Sequence, residues 1–372
     1  MQFINLQKQY QLLKNEIDQA VFSVMGKTQF ILGEEVFKFE EELKKYTQAP
    51  YVVTCANGTD ALILALKSIG IGTGDEVITP AFGFIAAAEA ISHVGAKVVF
   101  CDIDIKSYNI DIANLENKIT KKTKAIIPIS LFGLVPNINK INQIAQTVGA
   151  VVIEDAAQSM GASFEEKKSG NLSQVATTSF FPTKPLGCFG DGGAIFTQDE
   201  EIYHRLKKLR SHGQEKKYEH LEVGFNSRLD TLQASILLVK LKYLDFEIKE
   251  RIKRAHFYYE QLTNIDDFKL PILSQHCVYA QFSVRSKKRD QMIAFLKDRN
   301  IPTFIHYPRP LHLQPCFKNL GHREGDFPQS EKAAQEIFSL PFCPYLSKED
   351  QELVIRNIED FYHETALYHS VL

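Results

Sequence analysis

Short apolar runs alternate with helix-like segments through the first two-thirds of the chain. Continuous apolar runs rich in β-branched residues predict buried strands, and apolar residues about three to four positions apart predict amphipathic helices. The predicted strands are residues 51–55, 76–79, 97–103, 124–131, 150–154, 175–180 and 193–197. The predicted helices among them are residues 60–68, 84–94, 111–119 and 138–148.

This order predicts an α/β fold with a mostly parallel central sheet, covered by helices on both faces and connected by right-handed crossovers. A helical pattern with few breakers then runs over residues 228–262, long enough to connect two domains. Residues 278–285 alternate like a half-exposed strand. Three further helices are predicted at residues 287–299, 330–338 and 348–362. We therefore predict a large domain over residues 1–244 and a smaller α+β domain over residues 245–372.

Composition narrows the possible functions. The chain has 372 residues with a net charge of -2, which gives no indication of a nucleic-acid or acidic-membrane partner. Its 6 cysteines are scattered without a C-x-x-C pair, so we expect neither a metal site nor a disulfide framework. The first residues lack the pattern of a secretory signal, and no apolar run is long enough to span a membrane. We therefore expect a cytoplasmic protein.

Residues 57–60, Asn-Gly-Thr-Asp, follow the first strand and open a helix. Free backbone amides and the helix dipole make such a position suited to bind phosphate. Gly58 permits close approach of the backbone to an anion, and Thr59 adds a hydroxyl. The same pattern also fits an ordinary capped helix, so the motif alone leaves both interpretations open.

Glu154 and Asp155 end an apolar strand. Open α/β sheets bind ligands at the carboxyl ends of their strands. Because side chains alternate along a strand, one of the two carboxylates should face the ligand side and the other should point away. A carboxylate there can pair with a protonated ring nitrogen, bind Mg²⁺ or cap the next helix.

Lys184 lies between a strand and the glycine-rich residues 190–193, in mostly uncharged surroundings. Loss of solvation there lowers the pKa of a lysine, and a neutral amine is what Schiff-base chemistry needs. The alternative is an ordinary surface lysine. A nicotinamide-dependent enzyme is disfavoured, because no G-x-G-x-x-G follows the first strand and residues 190–193 precede a strand instead of a helix.

Residues 226–230 form a fourth polar motif. Asn226 can donate to an anion, and Arg228 can bind a phosphate or hold a carboxylate such as Asp230, which we expect to cap the following helix. A phosphate cradle, a strand-end aspartate and a lysine roughly thirty residues later form the layout of fold-type I pyridoxal-phosphate enzymes.

With these motifs in place, the chain resembles the DegT/DnrJ/EryC1/StrS sugar aminotransferases over essentially its whole length. The segments that carry the resemblance are residues 31–33, 55–62, 74–80, 154–158, 179–184, 226–230, 307–308 and 312–315. The resemblance implies a fold-type I transferase that uses pyridoxal phosphate, which becomes pyridoxamine phosphate during turnover. It also implies a homodimer with shared active sites and no metal.

The resemblance further assigns roles around the cofactor ring. Lys184 matches the lysine that binds the cofactor covalently and later moves the proton. Asp155 matches the carboxylate that keeps the pyridine nitrogen protonated, and Gln158 matches the glutamine beside the phenolic oxygen. Phe84 matches the aromatic residue that stacks on the ring, with Phe82 as its competitor.

Phosphate contacts are implied for Gly58, Thr59 and Ser179, and for Asn226 from the neighbouring subunit. Some relatives carry histidine in place of the lysine and catalyse dehydration, so Lys184 favours transamination. A non-catalytic regulator that binds the cofactor or a nucleotide sugar is disfavoured, because the chain retains the lysine, aspartate, glutamine and serine together.

Residues 179–188, 227–234 and 278–281 look most similar to the branch that aminates C3 of a UDP-linked 3-keto N-acetylglucosamine uronic acid. That branch uses L-glutamate as donor and serves surface-polysaccharide synthesis. Substrate-facing positions then fall at His306 and Tyr307, unless His306 is a packed structural histidine. Arg309 departs from the apolar residue expected there. We hypothesise that Arg309 or Arg228 pairs with a sugar carboxylate or the diphosphate; the alternative for Arg309 is an exposed rim residue. A C4 aminotransferase, or one for a dTDP-linked 3-keto-6-deoxyhexose, stays open.

Overall fold

The computed structural model describes the backbone of residues 1–370 and the side chains of residues 1–364. Its strands are β1 (Tyr51–Cys55), β2 (Glu76–Pro80), β3 (Lys97–Cys101), β4 (Thr123–Ile126), β5 (Val151–Asp155), β6 (Ser163–Phe164), β7 (Lys167–Lys168), β8 (Val175–Ser179), β9 (Gly193–Thr197), β10 (Gln214–Lys216), β11 (Glu219–His220), β12 (Phe282–Arg285) and β13 (Ile337–Leu340). Seven of them form the central sheet in the order β1-β9-β8-β5-β4-β2-β3. All neighbours pair in parallel except β9, which is antiparallel to β1 and β8. The predicted α/β fold with a mostly parallel sheet is confirmed.

Helices cover this sheet and build the C-terminal part. They are α1 (Leu6–Lys27), α2 (Glu34–Thr47), α3 (Gly58–Ser68), α4 (Ala86–His93), α5 (Ile112–Lys118), α6 (Ile138–Gln146), α7 (Glu200–Leu209), α8 (Thr231–Leu241), α9 (Leu244–Leu262), α10 (Arg289–Asp298), α11 (Pro328–Glu336) and α12 (Lys348–Ser370), with short 3₁₀ turns at Leu131–Gly133, Leu311–Leu313 and Pro315–Leu320. Among the described residues, none of these helices is long and apolar enough to cross a membrane.

Alternating side chains of the central strands supply two hydrophobic cores, one on each face of the sheet. Val53 and Ile153 belong to the core with α3, α4 and α7. Their neighbours Val52 and Val152 belong to the core with α2, α6 and α8. Burial on both faces explains why these strands are continuously apolar in the sequence.

A third core lies in the C-terminal part, where α9, α10 and α12 pack against the antiparallel pair of β12 and β13. Residues such as Phe317 and Phe327 of the same part pack instead into the first core, around Phe100 of β3. The boundary between residues 244 and 245 stays a prediction.

Several predicted elements differ from the structure. The strand predicted over residues 124–131 ends at Ile126, and the helix predicted over residues 330–338 ends at Glu336, where β13 follows. The helical pattern over residues 228–262 is two helices, because the chain tightens at Lys242 and Tyr243, whose amides bond to the carbonyls three residues back. The strand predicted over residues 278–285 starts only at Phe282. Its first half alternates for another reason: the amides of Val278 and Ala280 bond to the carbonyls of Gly133 and Phe132, outside the β12–β13 pair.

Candidate active site

A cleft of about 470 Å³ opens at the carboxyl ends of β5 and β8, beside the N-terminus of α3. It brings together most of the positions that the sequence singled out. Those that line it are Gly58, Thr59, Phe84, Asp155, Gln158, Ser179, Lys184, His306 and Tyr307. The location agrees with the rule that open α/β sheets bind ligands at the carboxyl ends of their strands.

The start of α3 forms one end of the cleft. The Asn57 side chain caps the helix by accepting a 2.8 Å hydrogen bond from the Asp60 amide. The amides of Gly58 and Thr59 form no hydrogen bond with any described residue. A Cβ on Gly58 would lie 2.6 Å from Cβ of Ser179, so only glycine fits here. The two interpretations of this motif are therefore compatible, because the helix is capped and still presents two free amides to the cleft.

Glu154 and Asp155 face opposite sides of the sheet, as alternation predicts. Glu154 is buried away from the cleft and accepts hydrogen bonds from the Ser169 hydroxyl and the Gly170 amide; burial raises its pKa to about 7. Asp155 lines the cleft and accepts a 3.0 Å hydrogen bond from the Ala157 amide. Burial raises the pKa of Asp155, and the charge of Lys184 opposes that rise.

Lys184 lies in the loop that follows β8. The loop is closed by backbone hydrogen bonds, from the Lys184 amide to the Phe181 carbonyl at 2.9 Å and from the Cys188 amide to the Phe180 carbonyl at 2.8 Å. The side chain keeps some contact with water in the open cleft, yet the surrounding protein removes enough solvation to lower its pKa, with Asp155 acting in the opposite direction. The direction of this shift is the one that the sequence predicts, and a lower pKa increases the neutral, nucleophilic fraction of the amine.

Gln158, Tyr307 and Phe84 line the cleft together. Gln158 accepts a 2.7 Å hydrogen bond from the Phe132 amide and donates to the Tyr307 hydroxyl at 3.4 Å. Burial raises the pKa of Tyr307 to about 12, so its hydroxyl stays neutral. Of the two candidates for ring stacking, Phe84 faces the cleft and is 54% exposed, whereas Phe82 is fully buried in the core.

The remaining sequence-predicted residues separate into two groups. His306 lines the cleft, with Nδ1 2.9 Å from the Ser339 hydroxyl, and its pKa is lowered by burial and by Lys184. Arg309 is exposed and lies outside the cleft lining. Asn226 and Arg228 also lie outside the cleft lining, and Arg228 donates a hydrogen bond to the Asn226 side chain.

The expected cap at Asp230 is wrong, because its side chain makes no capping hydrogen bond to α8. Asp230 instead forms an isolated β-bridge with Ile31, and the next amide, of Thr231, is taken by the Phe30 carbonyl. The segment between α1 and α2 therefore takes over part of the role expected of the cap.

Several lining residues had not been predicted, including Phe181, Asp191 and Gln281. Phe181 and Asp191 flank the lysine loop, so their position in the chain was a usable signal. Gln281 comes from the C-terminal part, directly before β12, and local pattern gave no indication that it would reach the cleft.

Comparison with known proteins identifies a family of aminotransferases. The model of the DegT/DnrJ/EryC1/StrS aminotransferase family matches residues 11–359. A UDP-2-acetamido-2-deoxy-3-oxo-D-glucuronate aminotransferase from Pseudomonas aeruginosa is 47% identical over 93% of this chain and 96% of its own. A pleiotropic regulatory protein from Geobacillus stearothermophilus is 45% identical over 98% and 99% of the two chains.

Among solved structures, DesV from S. venezuelae in complex with a ketimine intermediate superposes with a TM-score of 0.95 at 36% identity. The match covers 97% of this chain and 98% of that one. Another similar structure carries pyridoxamine phosphate as its bound cofactor.

Proposed function

Because this chain belongs to the DegT/DnrJ/EryC1/StrS aminotransferase family, we propose that it transfers an amino group from L-glutamate to C3 of UDP-2-acetamido-2-deoxy-3-oxo-glucuronate. At the level of its class it is a pyridoxal-phosphate-dependent sugar aminotransferase. The observation that carries the proposal is the convergence of Lys184 and Asp155 in one cleft, together with the Gly58–Ser179 cradle. A product of this kind suits surface-polysaccharide synthesis.

The residues present fit the cofactor. The free amides of Gly58 and Thr59 and the Ser179 hydroxyl offer donors for a phosphate at the start of α3. The close contact that a Cβ on Gly58 would make with Ser179 supports a cradle in which the start of α3 and the end of β8 lie close together. Asp155 would hold the ring nitrogen, and Lys184 would bind the aldehyde carbon. Pyridoxal phosphate, when bound, supplies an electron sink for the charge that develops beside the transferred nitrogen.

Lys184 performs the proton transfers in this proposal. Its lowered pKa provides a neutral amine that accepts the α-proton of L-glutamate. In the first half of the cycle the amine would pass this proton on to the cofactor. In the second half it would take the proton back and deliver it to the sugar carbon. Asp155 lines the cleft, and its carboxylate, when ionised, would attract a protonated ring nitrogen more strongly there than in water, because burial reduces its solvation. The rings of Phe84 and Tyr307, with centroids 6.1 Å apart, also line the cleft and would cover part of a bound ring.

The uronate assignment rests on charge. A C6 carboxylate needs a cationic partner, whereas the methyl group of a 6-deoxyhexose favours an apolar pocket. Arg309 is exposed two residues after Tyr307 and forms no ion pair with any described residue, so its charge is available. Arg228, linked to Asn226, is the second available cation. The identity of 47% with the Pseudomonas aeruginosa aminotransferase supports the same substrate class.

Removal of the Arg309 charge separates the substrates kinetically. Arg309→Ala should raise KM for the sugar at least roughly tenfold, since a charge-assisted hydrogen bond contributes about 1.5–3 kcal/mol, while KM for L-glutamate changes little. Arg309→Lys keeps the charge and should recover part of the loss. An unchanged sugar KM in Arg309→Ala would remove Arg309 from the substrate site and leave Arg228 as the candidate.

The substrate itself is tested with a panel of nucleotide keto sugars offered with L-glutamate, and the amino position of each product is determined by NMR. The proposal predicts amination at C3 of the UDP-linked uronate. Preference for a dTDP-linked 3-keto-6-deoxyhexose, or amination at C4, would replace the proposed substrate while leaving the aminotransferase assignment intact.

Asn226 supports a shared active site in a homodimer. Its side chain is exposed and lies outside its own cleft, although the resemblance gives it a phosphate contact. Both statements hold if Asn226 reaches the cleft of a second copy of the chain. We propose this arrangement, with Arg228 beside it on the same side of the partner's site.

A further inference from the structure

Two buried serines lie behind His306. Ser283 of β12 and Ser339 of β13 are direct partners in the antiparallel register and are 1% and 0% exposed. Their hydroxyls lie 2.9 Å apart, and the Ser339 hydroxyl also lies 2.9 Å from Nδ1 of His306. Burying a hydroxyl lowers stability unless it forms a hydrogen bond. The positions of the hydrogens among Ser283, Ser339 and His306 can therefore be deduced from their partners.

The backbone fixes the geometry of this chain. The Ser339 amide and carbonyl bond to the carbonyl and amide of Phe304 at 2.7 and 3.3 Å, so they are turned away from β12. Ser283 and Ser339 therefore form a non-hydrogen-bonded pair, the type in which opposed side chains come closest. Because Phe304 and His306 belong to the same segment, Ser339 fastens that segment through backbone and side chain together. The His306 ring is further confined by Phe3 and Phe304, with centroids 6.1 and 6.2 Å away.

Counting hydrogens selects one arrangement. Within the described part of the chain, the only partner of the Ser283 hydroxyl is Ser339. If His306 donated from Nδ1, only the contact between Ser283 and Ser339 would remain for the two hydroxyl hydrogens, so one of them would have no acceptor. If Ser283 donates to Ser339 and Ser339 donates to Nδ1, both hydroxyl hydrogens have an acceptor. The second arrangement avoids a buried donor without a partner, which costs about as much as a lost hydrogen bond.

We propose that Ser339, supported by Ser283, is a positioning residue that holds His306 in the neutral tautomer with its hydrogen on Nε2. Because Nδ1 is occupied by Ser339, Nε2 is the nitrogen left for the cleft that His306 lines. His306 then donates a hydrogen bond to an oxygen of the sugar substrate. This last step rests on the proposed function, whereas the tautomer does not.

The lowered pKa of His306 agrees with this arrangement. A proton on Nδ1 would prevent donation from Ser339 and leave one of the two serine hydrogens without an acceptor, and it would add a charge near Lys184. Both effects favour the neutral ring. The hydrogen bonds from Ser283 to Ser339 and from Ser339 to His306 therefore make His306 a hydrogen-bond donor without a positive charge. Such a donor suits a hydroxyl or carbonyl oxygen as well as a carboxylate.

The tautomer is measured directly on the cofactor-loaded protein with ¹⁵N-labelled histidine, by long-range ¹H–¹⁵N correlation spectra. The spectrum of His306→Gln identifies the signals of His306 by their loss. We expect a protonated Nε2 and an unprotonated Nδ1. A protonated Nδ1, an imidazolium or an equal mixture of tautomers at neutral pH would overturn the proposal, whatever the substrate is.

Kinetics then test the role in sugar binding, using the keto sugar that the panel selects. Ser339→Ala removes the donor to Nδ1 and should lower kcat/KM for the sugar roughly three- to tenfold, with a smaller effect on the L-glutamate half-reaction. Ser283→Ala is the matched control: it removes a hydroxyl of equal burial from the same sheet, but Ser339 can still donate to Nδ1. Its effect on the sugar should be smaller. Equal losses from the two substitutions would indicate general packing and refute the positioning role.

A conservative replacement of the ring completes the test. His306→Gln offers an amide N–H near the place of Nε2–H and should retain more sugar kcat/KM than His306→Ala. Equal losses in the two variants would exclude hydrogen-bond donation to the substrate. If the enzyme does not aminate the uronate in the panel but the spectra show the tautomer with its hydrogen on Nε2, the substrate proposal fails. The positioning role of Ser339 and Ser283 is then retained.

Discussion

Gly58→Ala gives a direct test of the cradle, because the distances are fixed by backbone geometry. The added Cβ would lie 2.6 Å from Cβ of Ser179 and 3.3 Å from its Cα. Neither atom can move by a change of rotamer, so the start of α3 and the end of β8 must separate by about 0.8 Å to reach the 3.4 Å of ordinary contact. Overpacking of this kind costs about 1–3 kcal/mol.

The same displacement moves the free amides of Gly58 and Thr59 away from Ser179. If these groups hold the phosphate together, Gly58→Ala should weaken binding of pyridoxal phosphate to the cofactor-free protein by at least about tenfold, equivalent to 1.4 kcal/mol. Affinity is measured by absorbance titration, and stability by denaturant unfolding. Gly26→Ala is the control, since a Cβ there meets nothing within 4 Å; it should bind the cofactor normally.

A second substitution distinguishes the clash from other effects. Ser179→Gly removes the atoms at 2.6 and 3.1 Å from the new Cβ, so the double variant should lose less affinity than the two single losses combined. Wild-type affinity in Gly58→Ala would refute the cradle. Strict additivity in the double variant would show that the loss does not arise from the contact between these two residues.

Three further predictions concern the charged groups. Borohydride reduction of the cofactor-loaded protein should attach the cofactor permanently to Lys184, which peptide mapping would detect. Lys240 is the control, because burial lowers its pKa to about 8 but it lies outside the cleft. Attachment to Lys240 instead would exclude Lys184 as the binding site. The variants Lys184→Ala and Asn226→Ala should each be inactive alone. Refolded together, they should regain part of the activity, because one site of the mixed dimer has both residues. Absence of any recovery would contradict a shared site. Asp155→Asn should abolish turnover with little loss of stability, whereas Glu154→Ala should lower the free energy of unfolding by about 1–3 kcal/mol. Activity and denaturation assays that give the reverse pattern would contradict the assignment of the two side chains to opposite faces of the sheet.

The sequence predicted those features that depend on local periodicity. Alternation along Val151–Asp155 was sufficient to assign Asp155 and Glu154 to opposite faces, because a strand has only two. The position of Lys184 after a strand, in apolar surroundings, was sufficient to predict the direction of its pKa shift. These inferences are reliable because each depends on residues that lie within a few positions of one another.

Features that depend on distant pairing were not predictable in this way. The break at Lys242 and Tyr243 carries no proline or glycine, and the Tyr243 hydroxyl is bonded to Glu16 of α1, a helix far away in the chain. The Ser283–Ser339 pair spans more than fifty residues and depends on the register of two strands, about which a single serine in an apolar run gives no information. Strand register is set by tertiary packing, so a local pattern cannot supply it.

The pKa shifts of Lys184 and Asp155 are opposite in direction and are coupled, because the two side chains line the same cleft. Burial drives each toward its neutral form, and the charge of each counteracts the shift of the other. The chemistry requires an asymmetric outcome, with a neutral amine and an ionised carboxylate at the same pH. A cation beside Asp155 other than Lys184 produces that asymmetry, because it favours the ionised carboxylate while disfavouring a second positive charge on the amine. A protonated pyridine nitrogen is such a cation, so the cofactor and the site favour each other's working charge states, and binding should stabilise the fold by mass action.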